Sequence, residues 1–208
     1  MNRGLLFVIS GPSGAGKGTI CSDYLKEAQN TWLSVSATTR SPRVGETEGN
    51  SYFFLSRDEF TEKLQQGDFL EYADVYGNFY GTPKSSVEEK LEKGYDVILE
   101  IDIQGALKVQ ENTKEGIFIF ILPPSMEELK QRIIKRGSET PESLIRRFES
   151  AFDEINYISK YNYAVINTTV EEALGNVRAI VQAEKCRVDR VVSKVKEMQG
   201  ELTHGKKD

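Results

Sequence analysis

Apolar residues follow two rhythms along the chain. Residues 5–9, 97–101 and 117–122 are short, continuous apolar runs rich in β-branched side chains, and 163–167 closes a similar pattern. Runs of that length and content predict strands buried on both faces of a parallel sheet. Helical spacing fills the intervals. Residues 19–29 place Ile20, Tyr24 and Leu25 on one face. Helices are likewise predicted over 83–93, 125–135, 141–158 and 170 to about 198, with Leu129 and Ile133 facing the core. Strands alternating with helices imply right-handed βαβ units and therefore an α/β fold, a parallel sheet flanked by helices.

Two blocks break the alternation. Residues 34–83 read as an extended segment at 34–39, a loop punctuated by Ser41-Pro42, Gly45 and Gly49, and a strand at 52–55. A short helix at 58–66 carries Phe60 and Leu64 at i, i+4, and a strand at 69–76 ends in the Gly77-Asn78 turn. This block is expected to be a small mixed or antiparallel insertion. Residues 125–158 are helix after helix with no strand between, the pattern of a helical lid. The expected organisation is one domain over 4–186, with core 4–33, 84–124 and 160–198, insertion about 34–83 and lid about 125–158. Residues 199–208 are expected to be a flexible tail.

Between the first strand and the first helix lies Gly11-Pro12-Ser13-Gly14-Ala15-Gly16-Lys17, a match to G-x-x-x-x-G-K in the strand–turn–helix context that motif requires. Glycines let successive backbone N–H groups curl toward one point, and the helix N-terminus adds partial positive charge there. Lys17 is a mobile cation that can follow a phosphoryl group in transfer. The loop from Gly11 to Thr19 is thus expected to hold the phosphates of a nucleoside triphosphate, in a P-loop type of core. The motif's usual Ser or Thr after the lysine is Gly18 here, which leaves Thr19 as the candidate hydroxyl for a metal.

Composition narrows the partners. The chain has 208 residues, 38% hydrophobic and 28% charged, with formal net charge −5 and pI about 5.2. An acidic balance argues against a polymeric nucleic acid, while clustered arginines can still hold a compact anion. Two cysteines without a CxxC pair fit a reducing compartment. No run approaches the ~18 apolar residues of a membrane span. The run 5–9 is also too short for a signal-peptide core. A cytoplasmic location is expected, with no membrane partner.

Residues 97–101 run into acid. Glu100 and Asp102 share a strand face by the period of two, at the carboxyl end where α/β ligands bind. Asp102 suits a metal-orienting carboxylate, or a helix cap before Gln104. Asp102-Ile103-Gln104-Gly105 also fits the D-x-x-G of GTPases, yet the chain has no N-K-x-D to read guanine as those proteins do.

The block Thr38-Thr39-Arg40-Ser41-Pro42-Arg43, with Gly45, Glu46, Gly49 and Tyr52-Phe53-Phe54, closely resembles the guanylate kinase signature. So do Glu71-Tyr72-Ala73, Gly77-Asn78-Phe79-Tyr80-Gly81-Thr82, residues 99–105, Pro123-Pro124-Ser125 and Arg132 with Arg136-Gly137. The likeness spans about residues 4–184. It implies transfer of a phosphoryl group from ATP to GMP, with dGMP as a further acceptor and Mg2+ as the cofactor. Arg40 and Arg43 flank a proline, and two planar guanidiniums can grip a monophosphate. The resemblance assigns Arg40, Arg43, Tyr52 and Tyr80 to the phosphate of GMP. A carboxylate at Glu71 can accept from guanine N1–H and the 2-amino group together. Ser36 and Thr82 can donate to or accept from the base, and the resemblance implies hydroxyls there. Glu100 stands where many members have Asp near the acceptor nucleotide. Arg132, Arg136 and Arg147 are implied as clamps on the donor phosphates, with Arg146 adjacent to the last. Asn167 is implied near adenine. Thr19 and Asp102 are the candidate metal ligands. No general base is called for, since the acceptor oxygen is already anionic, and His204 has no role. A peptide-binding scaffold domain is the competing class, but such domains usually carry a degraded phosphate loop. A monomer or homodimer is expected.

Overall fold

The computed structural model describes residues 3–75, 77–135, 141–192, 195 and 198, those of 141–147 by backbone alone. In chain order the elements are β1 (Leu6–Ser10), α1 (Lys17–Glu27), β2 (Thr31–Leu33), β3 (Ala37–Thr38), β4 (Phe53–Phe54) and α2 (Arg57–Gln65). Next come β5 (Phe69–Val75), β6 (Asn78–Pro83), α3 (Lys84–Glu92), β7 (Asp96–Glu100) and α4 (Ile103–Asn112). β8 (Gly116–Leu122), α5 (Met126–Lys135), α6 (Pro141–Ile155), a 3-10 turn at Asn156–Lys160, β9 (Tyr163–Ile166) and α7 (Val170–Lys185) follow.

Five strands form a parallel sheet in the order β2-β7-β1-β8-β9. β1 is central, and every one of its residues is buried. Its side chains divide by the period of two. Phe7 and Ile9 pack with Ile20 and Tyr24 of α1 and Val177 of α7 on one face. Leu6 and Val8 pack with Val87 and Leu91 of α3 and Val109 of α4 on the other. Helices cover both faces, which is the arrangement that continuous apolar strands require. The loop after β1 and the acidic end of β7 therefore open at the same carboxyl edge of the sheet.

A second, mixed sheet has the order β4-β3-β6-β5, with β3 parallel to β4 and antiparallel to β6. Its apolar face packs Ala37, Phe60, Phe69 and Phe79 beneath α2. Its other face carries Glu71 and Thr82, cross-strand partners on β5 and β6, with Tyr80 two residues before Thr82. Lys108 and Asn112 of α4 donate to the carbonyls of Tyr72 and Leu70 and tie this sheet to the core.

Several elements differ from the sequence reading. The edge strand β2 was hidden because three half-buried residues carry no apolar run. The extended segment at 34–39 contracts to β3, and β6 occupies residues read as a turn and a helix start. α4 was not predicted. The helix expected from 170 to about 198 ends at Lys185, where Cys186 leaves the helix, and helix resumes at 188–192. Leu129 and Ile133 do not join the main core. They form a separate cluster with Ala151 of α6, and they lie against Gly14, whose added Cβ would stand 3.0 Å from Leu129 Cδ1.

Candidate active site

The turn between β1 and α1 is shaped by backbone conformations that only glycine adopts readily. Gly11, Gly14 and Gly16 have φ of 144°, 92° and 97°. Gly16 is the residue before α1, in the left-handed region, and it has no side-chain cap over the first helical N–H groups. Uncapped donors at a helix start are what an anion cradle requires. Lys17 Nζ bends back to the carbonyls of Gly11 at 2.5 Å and Pro12 at 3.2 Å. Burial holds its pKa below the ordinary lysine value, while the carboxylates of Glu100, Glu154 and Asp102 pull the other way. Gly18 and Thr19 are exposed on the first turn of α1. A Cβ at Gly18 would lie 3.3 Å from Glu100 Oε1, so the side the usual hydroxyl would fill is lined by that carboxylate.

Asn167, 3% exposed just beyond β9, braces this loop. Its Nδ2 donates to Ala15 O at 2.7 Å, and its backbone N–H donates to Leu122 O. Its carbonyl accepts from Arg132 NH2 at 3.1 Å, while Arg132 Nε donates to Glu128 at 2.9 Å. Arg132 thus stands at the edge of the phosphate loop. Arg136 and the side chain of Arg147 lie outside the described residues.

Of the two expectations for Asp102, the structure shows the helix cap. Asp102 caps α4, Oδ1 accepting from Gly105 N at 2.7 Å. Its charge also reaches both Lys17 and Glu71. Gly105 explains how they come so close: an added Cβ there would sit 3.3 Å from Asp102 Oδ1 and 3.4 Å from Glu71 Oε2.

Glu71 Oε1 accepts from Thr82 Oγ1 at 2.8 Å, a direct result of their pairing across β5 and β6. Burial pushes the Glu71 carboxyl up, Thr82 and Lys108 oppose that, and Asp102 adds to it. Its ability to accept two donors as an anion is therefore lost at a higher pH than for an exposed glutamate. Ser36 lies half-buried beside β3, its carbonyl accepting from Phe53 N.

Arg40 is held from three sides. Nε donates to Tyr80 Oη at 3.2 Å, NH2 to Glu46 at 2.8 Å and NH1 to Ser41 O at 2.7 Å. Its guanidinium also lies 5.5 Å from the centroid of the Tyr52 ring, which meets Tyr80 edge-on. The Glu46 hydrogen bond, then that of Tyr80, raises the Arg40 pKa further above its ordinary value. Arg43 is exposed, and its backbone N–H donates to Glu46 Oε2 at 2.8 Å. The sequence reading has Glu46 in the signature block without a role, although an acid three residues after Arg43 in a turn is a signal for one. Gly105 is read from sequence only as a motif position, because the room it leaves between Asp102 and Glu71 is a tertiary feature.

Two sets of groups thus lie near Asp102. One is a loop of donors with a lysine, suited to a polyphosphate. The other combines a fixed arginine, tyrosine hydroxyls and a buried carboxylate paired with a threonine, suited to a phosphate and a base with adjacent donors.

The guanylate kinase family model matches residues 3–184. A guanylate kinase of Clostridium perfringens (strain SM101 / Type A) is 64% identical over 203 residues, covering 98% of this chain and 94% of its own. One from Clostridium acetobutylicum is 69% identical over 189 residues, covering 91% and 90%. The crystal structure of guanylate kinase from Anaplasma phagocytophilum is similar at TM-score 0.72 and 35% identity, covering 94% of this chain and 95% of that one.

Proposed function

The chain belongs to the guanylate kinase family, and from that premise we infer how its residues transfer the γ-phosphoryl group of ATP to GMP, giving ADP and GDP. One observation supports the assignment of sites: Asp102, on the loop after β7 at the same sheet edge as the Lys17 loop, also stands close to Glu71 across Gly105. An anion cradle and a guanine-reading carboxylate are thus within reach of one reaction.

ATP enters with its phosphates on the N–H groups of Gly11 to Thr19. Lys17 exchanges the Gly11 and Pro12 carbonyls for the γ-phosphate. Arg132, Arg136 and Arg147 close on the donor from the helical pair α5–α6, and Asn167 keeps the loop in shape. GMP lies on the second sheet. Its phosphate meets Arg40, Arg43, Tyr52 and Tyr80, with Glu46 and Tyr80 setting the orientation of Arg40 beforehand. Glu71 accepts from guanine N1–H and the 2-amino group, Thr82 and Ser36 complete the base contacts, and Glu100 lies at the acceptor side of the loop. Adenine offers an acceptor at N1 and no 2-amino group, so it would leave Glu71 buried and unpaired. Such a mismatch can discriminate by ~10⁴–10⁵. dGMP satisfies the same contacts.

The attacking oxygen is a phosphate oxygen that is already anionic, so no residue has to remove a proton. Catalysis is positioning in line plus neutralisation of charge. Closure of α5–α6 over the donor excludes water, which would otherwise take the phosphoryl group. Mg2+ suits a site of this kind. Among the described residues no group of three or more His, Cys, Asp or Glu side chains is placed to hold a metal ion by itself, and Mg2+ takes one or two carboxylates plus substrate phosphates. Asp102 and Thr19 would hold it, and it would supply positive charge to the donor phosphates. Two free cysteines suit a reducing cytoplasm.

The test is Lys17→Ala in a coupled assay of ATP-dependent GMP phosphorylation. Loss of one preorganised charged donor should lower kcat by ~10²–10³ or more, with GMP binding retained. Unchanged turnover would refute the role given to the loop.

A further inference from the structure

One face of α4 follows the strand that carries Glu71. Gly105, Lys108, Val109 and Asn112 recur at i, i+3, i+4 and i+7 and so line up along the helix. They meet three consecutive residues of β5. Leu70 is buried in one cluster with Val109, and its carbonyl accepts from Asn112 Nδ2 at 2.9 Å. Glu71 brings its carboxylate to Gly105, where an added Cβ would stand 3.4 Å from Oε2. The carbonyl of Tyr72 accepts from Lys108 Nζ at 2.5 Å, and the same ammonium lies 5.3 Å from the centroid of the Tyr72 ring.

The register of β5 shows why this support matters. Phe69 faces Pro83 and Glu71 faces Thr82, so Leu70 is an extra residue on β5. A bulge of this kind disrupts the ladder and re-aims the side chain beside it. Here Asn112 supplies the partner for Leu70 O, and the side chain beside the bulge is Glu71. We propose that Lys108 and Asn112 are positioning residues for the selection of guanine: they fasten the main chain on both sides of Glu71 to α4, so that this helix, and not the second sheet alone, sets where the carboxylate meets the base. Asp102 caps the same helix, so one rigid element spaces the two carboxylates. The inference rests on the reading of Glu71 as the group that accepts from guanine N1–H and the 2-amino group. Lys108 and Asn112 act through Glu71 and touch no reactant themselves.

The experiment is steady-state kinetics with GMP and with inosine monophosphate, which lacks the 2-amino group. The proteins are the wild type, Lys108→Met, Asn112→Ala, their double variant, Lys108→Arg, and Glu71→Gln as the reference. Lys108 and Asn112 are exposed, so truncating them opens no cavity. Each single variant should raise the KM for GMP about 3-fold and the double variant about 10-fold, the effect of a contact that aligns a group without touching substrate. The KM for ATP should hold. The preference for GMP over inosine monophosphate should fall by the same factors, because a displaced Glu71 no longer accepts from both donors. Lys108→Arg, which keeps a charged donor, should stay near the wild type. A purely structural role would lower turnover with both acceptors alike and leave their ratio intact. An unchanged ratio in the double variant, with Glu71→Gln lowering it, would overturn the proposal. An unchanged ratio in Glu71→Gln would overturn the base-reading assignment and this inference with it.

Discussion

Replacing Gly16 by alanine strikes the phosphate loop in two separable ways. The backbone there has φ 97° and ψ 18°, a left-handed conformation that costs a residue with a Cβ roughly 1–2 kcal/mol. The new Cβ would also lie 2.3 Å from Asn167 Nδ2, far inside contact distance. Asn167 is buried and must retreat, breaking its 2.7 Å hydrogen bond to Ala15 O. A buried carbonyl left without a partner costs about 1–3 kcal/mol. The total is about 2–5 kcal/mol. Gly67→Ala separates the two contributions, because Gly67 has φ 71° and no atom within 4 Å of its added Cβ. That control should cost only the backbone share. Urea unfolding of both variants supplies the energies, and the KM for ATP should rise in Gly16→Ala while that for GMP holds. In the double variant Gly16→Ala/Asn167→Ala the costs should be sub-additive, because both changes remove one contact. If Gly16→Ala costs no more than Gly67→Ala, Asn167 does not brace the loop and the argument fails.

Two further outcomes concern the rest of the fold. Asp96 is buried, accepting from Leu5 N at 2.9 Å and pairing with the half-exposed Lys185 at 2.6 Å. Asp96→Ala should cost about 1–3 kcal/mol by orphaning the Leu5 N–H, whereas Asp96→Asn keeps that bond and should cost under ~1 kcal/mol; equal losses in chemical unfolding would contradict this. Cys21 is 1% exposed with its thiol pushed up to about 12 by burial, while Cys186 is exposed. A thiol reagent at pH 8 should modify one cysteine in the native protein and two after unfolding, and rapid loss of both native thiols would show that Cys21 is not sealed.

The sequence announced the parallel core because buried parallel strands must be apolar throughout, and β1, β7 and β8 are. β2 escaped because an edge strand needs no such run. α4 was hidden by the acidic stretch before it, although Asp102 as its cap was one of two readings open from the start. The break after Lys185 has no Pro or Gly to mark it. At the site, residues with unusual chemistry at fixed spacing were legible: Lys17, Arg40, Glu71. Contacts made by tertiary packing were not. Nothing local to Asn167 shows that its amide ends at Ala15 O, 152 residues away. Glu46 and Gly105 act through what they touch or leave room for.

The central claim is that a carboxylate on the second sheet selects the acceptor for a donor held by the loop. It is tested most directly by product analysis with ATP and equal concentrations of GMP, dGMP, AMP, UMP and dTMP, in the wild-type protein and in Glu71→Gln. The wild-type protein should phosphorylate GMP and dGMP and leave the other monophosphates untouched. Glu71→Gln, which keeps the Thr82 contact but offers one acceptor and an opposing amide donor, should lose that preference. A Glu71→Gln protein that still chooses GMP over AMP as strongly as the wild type would contradict the account.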